Sequence, residues 1–372
     1  MFLKLGTIAF GGPAAHIAMM EDEFVRRRRW LTEADFLDRL ALANLIPGPS
    51  STELAIFIGY SKRGWAGLLV AGCCFIVPAA ILVALIAAFY VKFGALPQVA
   101  GILYGIKPAV IAIIAQALWS LGRKAVKTWR VAVIGMAAVV LNAAGVSPLL
   151  VLVTAGMVSV VAFWISTKSR PAASVLAIGW PMRPLWLVGT AAASMVVAIP
   201  VSMFRLFLSF CKIGAVVFGS GYVLLAFLRA EFIEHLHWIT ERQLIDAVAV
   251  GQFTPGPVFT TATFIGYVVA GWRGAGVATI AIFLPGFVFV AVSGRMLTRL
   301  RRSALAVAVL DGVVAGSLAL MAVVAWQLGR AAIVDWVTLA IMVTSAALLL
   351  GFRMNSAWII FGAAVVGWLV GR

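Results

Sequence analysis

Apolar residues run along this chain in long stretches, interrupted at intervals by basic clusters and by glycine–proline breaks. Trp65 to Tyr90 carries no charged residue over 26 positions, and Val131 to Ser166 carries none over 36. A helix needs about 20 residues to cross the hydrocarbon layer, so the first run predicts one span and the second predicts two, Val131–Ser147 and Leu149–Ser166. Further apolar helices are predicted over Leu96–Leu121, Gly274–Met296, Ala304–Leu328, Ala331–Gly351 and Ser356–Val370, with an extra apolar segment at Leu185–Ser202. The short alternating segments of an outer-membrane barrel are absent. The pattern predicts an all-α polytopic integral membrane protein.

Sliding the chain against itself exposes an internal duplication. At an offset of 208, Lys4 meets Lys212, Gly6 meets Gly214, Trp30 meets Trp238, Asp38 meets Asp246, and Pro47-Gly48-Pro49 meets Pro255-Gly256-Pro257. One residue then drops out, and at 207 Tyr60 meets Tyr267, Pro78 meets Pro285 and Trp119 meets Trp326. The expected organisation is two homologous repeats of about six segments, 1–166 and 204–372, joined by a linker at 167–203 that holds the extra apolar segment. Basic clusters differ between them. The first is basic at Arg26–Arg29 and Arg123–Arg130, the second at Arg295–Arg302, opposite a loop that carries only Lys92 in the first. That swap favours inverted repeats in which the Pro-Gly-Pro segments are re-entrant.

Composition agrees with a lipid solvent: 63% of the 372 residues are hydrophobic and 11% charged, against about 25% charged in soluble domains. The net charge of +16 lies in short loops, which fits the positive-inside rule and argues against a nucleic-acid partner. Cys73, Cys74 and Cys211 sit in apolar segments without metal-ligand spacing, and read as packing residues. Met1 leads almost directly into the first repeated motif, so the first span reads as short, and no cleavable signal peptide is visible.

Candidate chemistry gathers at the breaks. Proline and glycine end helices, and non-helical backbone at membrane depth is tolerated where it lines a cavity or packs inside protein. Gly11-Gly12-Pro13, Pro47-Gly48-Pro49, Gly219-Ser220-Gly221 and Pro255-Gly256-Pro257 give four candidate half-helix ends, whose free N–H groups suit an oxyanion. Hydroxyls follow at Ser50, Ser51 and Thr52, and at Thr260, Thr261 and Thr263. Lys4 and Lys212 would offset the charge of a dianion, against the blander reading that they snorkel. Arg26, Arg27, Arg28 and Arg29 would attract anions from the cytoplasm.

Glu53, without an acidic counterpart at Thr261, is expensive to ionise at membrane depth and is a candidate reversible proton carrier. Glu23 and Glu231 are further proton-coupling candidates. With Asp38 and Asp246 they read as paired acids on amphipathic surface segments. Lys107 and Asp311 interrupt late helices and could pair with the core or with each other. Thr32-Glu33 and Thr240-Glu241 look like helix starts. His16, His235 and His237 form no metal pattern, and no phosphate-binding GxxxxGK[ST] loop is present, so neither metal nor cofactor is expected.

"KLGTIAFGGPAAHIAMMEDEFVRRRRWLTEADFLD" with "LIPGPSSTELAIFIGY", and "KIGAVVFGSGYVLLAFLRAEF" with "WITERQLIDAVAVGQFTPGP", resemble the paired signatures of the chromate ion transporter family. The resemblance covers essentially the whole chain. It implies a two-domain chromate efflux transporter of the bacterial inner membrane, exchanging chromate against the proton gradient, with sulfate as a look-alike. It marks Phe10-Gly11-Gly12-Pro13, Arg26 to Arg29, Trp30, Glu33 and Pro47-Gly48-Pro49. Many relatives place an acid directly after the first Pro-Gly-Pro, where Ser50 stands here and Glu53 follows three residues later.

The expected function is therefore a secondary transporter, not an enzyme, with chromate or sulfate and the lipid bilayer as partners and a homodimer as a candidate assembly. The alternatives are uptake of sulfate or another oxyanion, a passive anion channel, and a membrane enzyme acting on lipid phosphates. The last would need carboxylate or histidine clusters near the interface, which the sequence does not offer.

Overall fold

A computed structural model describes residues 1–10, 12–94, 96–125, 128–168, 200–218, 223–293, 304–352 and 354–370. The sequence expectations for Gly11, Gly219, Ser220, Gly221, most of the linker and Arg295–Arg302 lie outside these residues. Among the described residues all regular structure is helical. Five helices are long and apolar enough to cross a membrane: Ser50–Phe93, Val99–Arg123, Pro148–Ile165, Val258–Val292 and Val307–Ala332. Trp65, Trp119, Trp164, Trp272 and Trp326 stand exposed on their surfaces, where lipid rather than water would solvate them. The chain is a multi-pass membrane protein.

The first half contains α1 (Phe2–Ile8), α2 (Gly12–Glu21), a π-helical turn (Asp22–Arg27), α3 (Glu33–Ala43), α4 (Ser50–Phe93), α5 (Pro97–Ala125), α6 (Trp129–Ala143) and α7 (Pro148–Lys168). The second contains α8 (Met203–Val216), α9 (Leu224–Leu228), a π-helical turn (Arg229–His235), α10 (Glu241–Phe253), α11 (Thr261–Ser293), α12 (Ala304–Ala332), α13 (Trp336–Gly351) and α14 (Ser356–Val370). Thr32 and Thr240 both cap their helices with reciprocal side-chain and backbone bonds, as a helix start requires.

Besides the Pro-Gly-Pro break before α4 that the sequence predicts, the structure has a second break within it. Arg63 and Gly64 leave helical geometry, with Gly64 at φ 55°, and the chain reverses there. Gly59 then packs against Gly67 and Ala71, contacts that a straight helix would hold well over 10 Å apart. Residues 33–62 thus form a helical hairpin, with Pro47-Gly48-Pro49 at its tip, followed by a long helix from Trp65 to Phe93. In the second half Ala270 and Gly271 (φ 60°) make the same reversal, Gly266 packs on Gly274, and residues 241–269 form the second hairpin.

The long arm of α4 serves as a ruler of about 42 Å. At its Trp65 end, Lys62 donates to the carbonyl of Trp30 at 2.6 Å, so the first hairpin opens there. At its other end Tyr90, Val91 and Gly94 share a pocket of about 450 Å³ with Arg242 and Gln243 of α10 and Val268 of α11, so the second hairpin opens there. Across the halves α4 packs on α11, α5 on α14 and α13, and α7 and α6 on α12. Glycine allows the closest of these crossings. Gly105 and Gly367 bring α5 and α14 into backbone contact, and Gly312 does the same for α12 against Ala155 of α7.

Candidate functional site

Both hairpin tips are built on a glycine with a backbone conformation that side chains resist, φ 131° at Gly48 and φ 93° at Gly256. The flanking prolines lack N–H groups, so the glycine amide is the donor each tip can offer. Each donates to the opposite half. Gly48 N–H bonds to the carbonyl of Val217 at 2.7 Å, and Gly256 N–H bonds to the carbonyl of Ala9 at 3.0 Å. Ala9 and Val217 are the extended residues on which α1 and α8 end, and their carbonyls face inward at the breaks. Tip and break therefore satisfy each other's backbone across the molecule, and both tip glycines are buried.

The first tip carries polar chemistry that the second lacks. His16 is buried, with Nε2 at 3.1 Å from the Ala9 carbonyl and Nδ1 at 3.2 Å from Ser51 Oγ. A carbonyl only accepts, so Nε2 donates, and in the neutral ring Nδ1 accepts from the Ser51 hydroxyl. Thr52 Oγ1 is buried and makes no hydrogen bond among the described residues. Neither does either carboxyl oxygen of Glu53, whose side chain is 0% exposed. The Glu53 carboxyl occupies the space where a Cβ on Gly48 would project, and lies 3.5 Å from where a Cβ on Gly286 of α11 would stand. In the second half Thr260 and Thr261 donate to the Pro257 and Val258 carbonyls, each at 2.8 Å, and Thr263 pairs with Thr279. Leu224 and Thr261 stand at the positions matching His16 and Glu53.

Other expected site residues lie elsewhere. Lys4 and Lys212 are exposed, while the tip glycines are buried. Lys212 pairs with Glu231 at 2.9 Å, and Ser209 donates to the same carboxyl at 2.8 Å. Burial alone would raise the Glu231 carboxyl, but those two bonds hold it below the ordinary carboxylate range. Glu23 is bonded by Arg28 at 2.7 Å, which lowers its carboxyl too. The π-helical turn places side chains five residues apart in register, so Glu21, Asp22 and Glu23 pair in order with Arg26, Arg27 and Arg28. Three of the four arginines thus have acidic partners, and Arg29 stands next in the chain at φ 51°.

Asp246 departs from the surface reading that it shared with Asp38. It is fully buried, accepts from Tyr90 Oη at 2.9 Å and pairs with Lys107 Nζ at 3.2 Å. Lys107 therefore pairs with Asp246, not with Asp311. The sequence signal was available in "LIDAVAV", where an acid stands alone among apolar residues. No group of three or more potential metal ligands occurs among the described residues.

A family described as chromate transporter matches residues 1–160 and 204–368. The chain is 33% identical to the chromate transport protein of Cupriavidus metallidurans, over 98% of this chain and 90% of that one. It is 32% identical to the probable chromate transport protein of Synechococcus elongatus, over 98% and 93%. An uncharacterized transporter of Bacillus subtilis, YwrA, is 32% identical over 34% of this chain and 71% of its own length. No solved structure matches the chain.

Proposed function

Because the chain belongs to the chromate transporter family, we propose that it exports chromate from the cytoplasm in exchange for protons, through two inverted repeats that meet at their hairpin tips. The observation that carries this reading is Glu53, a buried carboxyl whose two oxygens have no partner among the described residues, beside the first tip. Ionised, it would be an uncompensated charge in a dry interior, a state that costs several kcal/mol; protonated, it carries none. Such a group can take a proton only when water reaches it, which is what alternating access would supply. Glu23 and Glu231 are poorer carriers, since their ion pairs favour the charged form.

The oxyanion is assigned to the first tip, between the N-terminal amides of α4 and the hydroxyls of Ser51 and Thr52. The lysines at positions 4 and 212 would act from the surface on its approach. Two observations support an inverted relation. The tips exchange equivalent bonds, Gly48 to Val217 and Gly256 to Ala9, as a two-fold axis requires. The hairpins open at opposite ends of α4, as an axis in the membrane plane requires. A relative in which one half aligns alone agrees with a duplicated unit. Arg26 to Arg29, Arg39, Lys62 and Arg63 belong to the end of the molecule where the first hairpin opens, which makes that end cytoplasmic.

Uptake of labelled chromate into inverted vesicles, with and without an inside-acid pH gradient and with sulfate as competitor, tests the reading. Uptake above empty vesicles that rises with the gradient is expected. Uptake equal to that of empty vesicles would overturn export, and uptake indifferent to the gradient would leave a channel.

A further inference from the structure

We infer that the mouth of the second hairpin is a second anion site, a vestibule that holds a tetrahedral oxyanion at the face opposite the Arg26–Arg29 turn. The inference rests on reading the chain as an oxyanion transporter, but on different residues from those of the tip. The vestibule is the pocket of about 450 Å³ at the end of α4, lined by Tyr90, Gly94, Ala100, Arg242, Gln243 and Val268. Arg242 makes no ion pair or hydrogen bond among the described residues, and it alone of the arginines lines this pocket. An unpaired guanidinium presents parallel N–H donors that match two oxygens of a tetrahedral anion.

One turn further along α10, on the same face, comes the buried Asp246 with its Lys107 and Tyr90 partners. Lys107 lies 3.2 Å from Asp246, longer than the roughly 2.7–2.9 Å of a tight charged bond, and its side chain is 14% exposed. Beside Arg242 it offers a second cation that an arriving dianion can share, while the Tyr90 hydroxyl keeps Asp246 bonded. At the other mouth the matching positions hold no such cation: Ala34 stands for Arg242, Asp35 for Gln243 and Val314 for Lys107. The asymmetry suits a one-way carrier: an attracting site where the anion leaves holds it apart from the tip while the carrier resets.

Thiol labelling reads occupancy of the vestibule directly. Val268→Cys, in a chain with Cys73, Cys74 and Cys211 replaced by serine, is treated with a membrane-impermeant methanethiosulfonate. Sulfate serves as the probe, because chromate oxidises thiols. Sulfate at millimolar concentration should slow labelling where chloride of equal ionic strength does not. Arg242→Gln should weaken that protection at least about tenfold in the sulfate required, the loss of one charge-assisted contact. The double variant Lys107→Met/Asp246→Asn, which leaves no lone buried charge, should weaken it as well. Absent protection in the parent, or protection unchanged in Arg242→Gln, overturns the vestibule. Because the vestibule lies at the face opposite the cytoplasmic end, labelling is read in right-side-out vesicles, and chromate uptake by inverted vesicles from the same cells separates the two readings. Uptake without protection sinks the vestibule alone, and protection without uptake keeps an anion site while sinking the transport reading.

Discussion

Gly48 donates its amide hydrogen to the carbonyl of Val217 across 2.7 Å, tying the first hairpin tip to the end of α8 in the other half. Nothing but glycine fits there, since φ is 131° and a Cβ would collide with the Glu53 carboxyl. At Gly256 the obstacle is Ala79. Gly48→Ala and Gly256→Ala should each lower chromate uptake at least about fivefold, from strain of about 1–3 kcal/mol at a residue that positions the site. Gly276→Ala, where a Cβ meets nothing, should transport normally. Uptake in vesicles matched for protein content checks all three, and normal rates at both tips would remove them from the mechanism.

Among the described residues Glu53 makes no hydrogen bond that glutamine would break, so Glu53→Gln should insert and fold. It should also lose the response of uptake to a pH gradient while any gradient-independent exchange persists. Initial rates measured with and without the gradient decide this. A variant that keeps the parent's gradient response would assign coupling to another group.

His16 links three elements: Ala9 at the first break, Ser51 at the start of α4 and, through the shared Ala9 carbonyl, the second tip. His16→Leu, which copies the residue at Leu224, removes an acceptor from Ser51 and leaves a buried hydroxyl short of a partner. A loss of about 1–3 kcal/mol in stability is expected from that orphaned group. His16→Gln can restore one of the two bonds and should fall between. Thermal unfolding in detergent and uptake together test the ranking, and a Leu variant equal to the parent in both would show that the ring is only filler.

The Lys212–Glu231 pair makes a stability claim with a definite sign. Its carboxyl is held below the ordinary range in the folded protein, so the pair stabilises above that range and the contribution vanishes as pH falls through the lowered value. Lys212 is more than half exposed, which limits the contribution to about 1 kcal/mol or less. Glu231→Gln should therefore unfold at slightly lower temperature than the parent at pH 7, with the gap closing below about pH 4. Melting curves across that window check it, and a gap that widens in acid would contradict the assigned sign.

Much of this was legible in the sequence, and what was not has a common cause. The apolar runs, the Pro-Gly-Pro breaks and the caps at Thr32 and Thr240 depend on neighbours in sequence, and the long helices stand on the apolar runs. The reversal at Arg63–Gly64 does not announce itself, because Ala270–Gly271 makes the same turn inside an unbroken apolar run. It is close packing of Gly59 on Gly67 that selects the bend. The Asp246–Lys107 pair joins residues 139 apart in sequence, and His16 acquires a role only when Ser51 and Ala9 meet around it. Pairings made by tertiary approach leave only a faint mark, such as one acid in an apolar stretch.

The two reversals permit a direct test of inversion. Arg63 and Ala270 occupy matching positions with nearly equal backbone angles, φ −141° and −147°, which any residue adopts. The first lies at the Lys62–Trp30 end of α4 and the second beside Trp272, next to the hairpin that opens at the Tyr90 end. If the halves are inverted, single cysteines at these sites face opposite compartments. In the chain without native cysteines, Arg63→Cys should react with an impermeant reagent in inverted vesicles, and Ala270→Cys in right-side-out vesicles. The basic residues around Arg63 fix which is which, because they are retained in the cytoplasm. Labelling of both from one side would mean parallel repeats. The reciprocal tip bonds would then belong to an axis along the membrane normal, and proton exchange by rocking of mirrored halves would lose its geometric support.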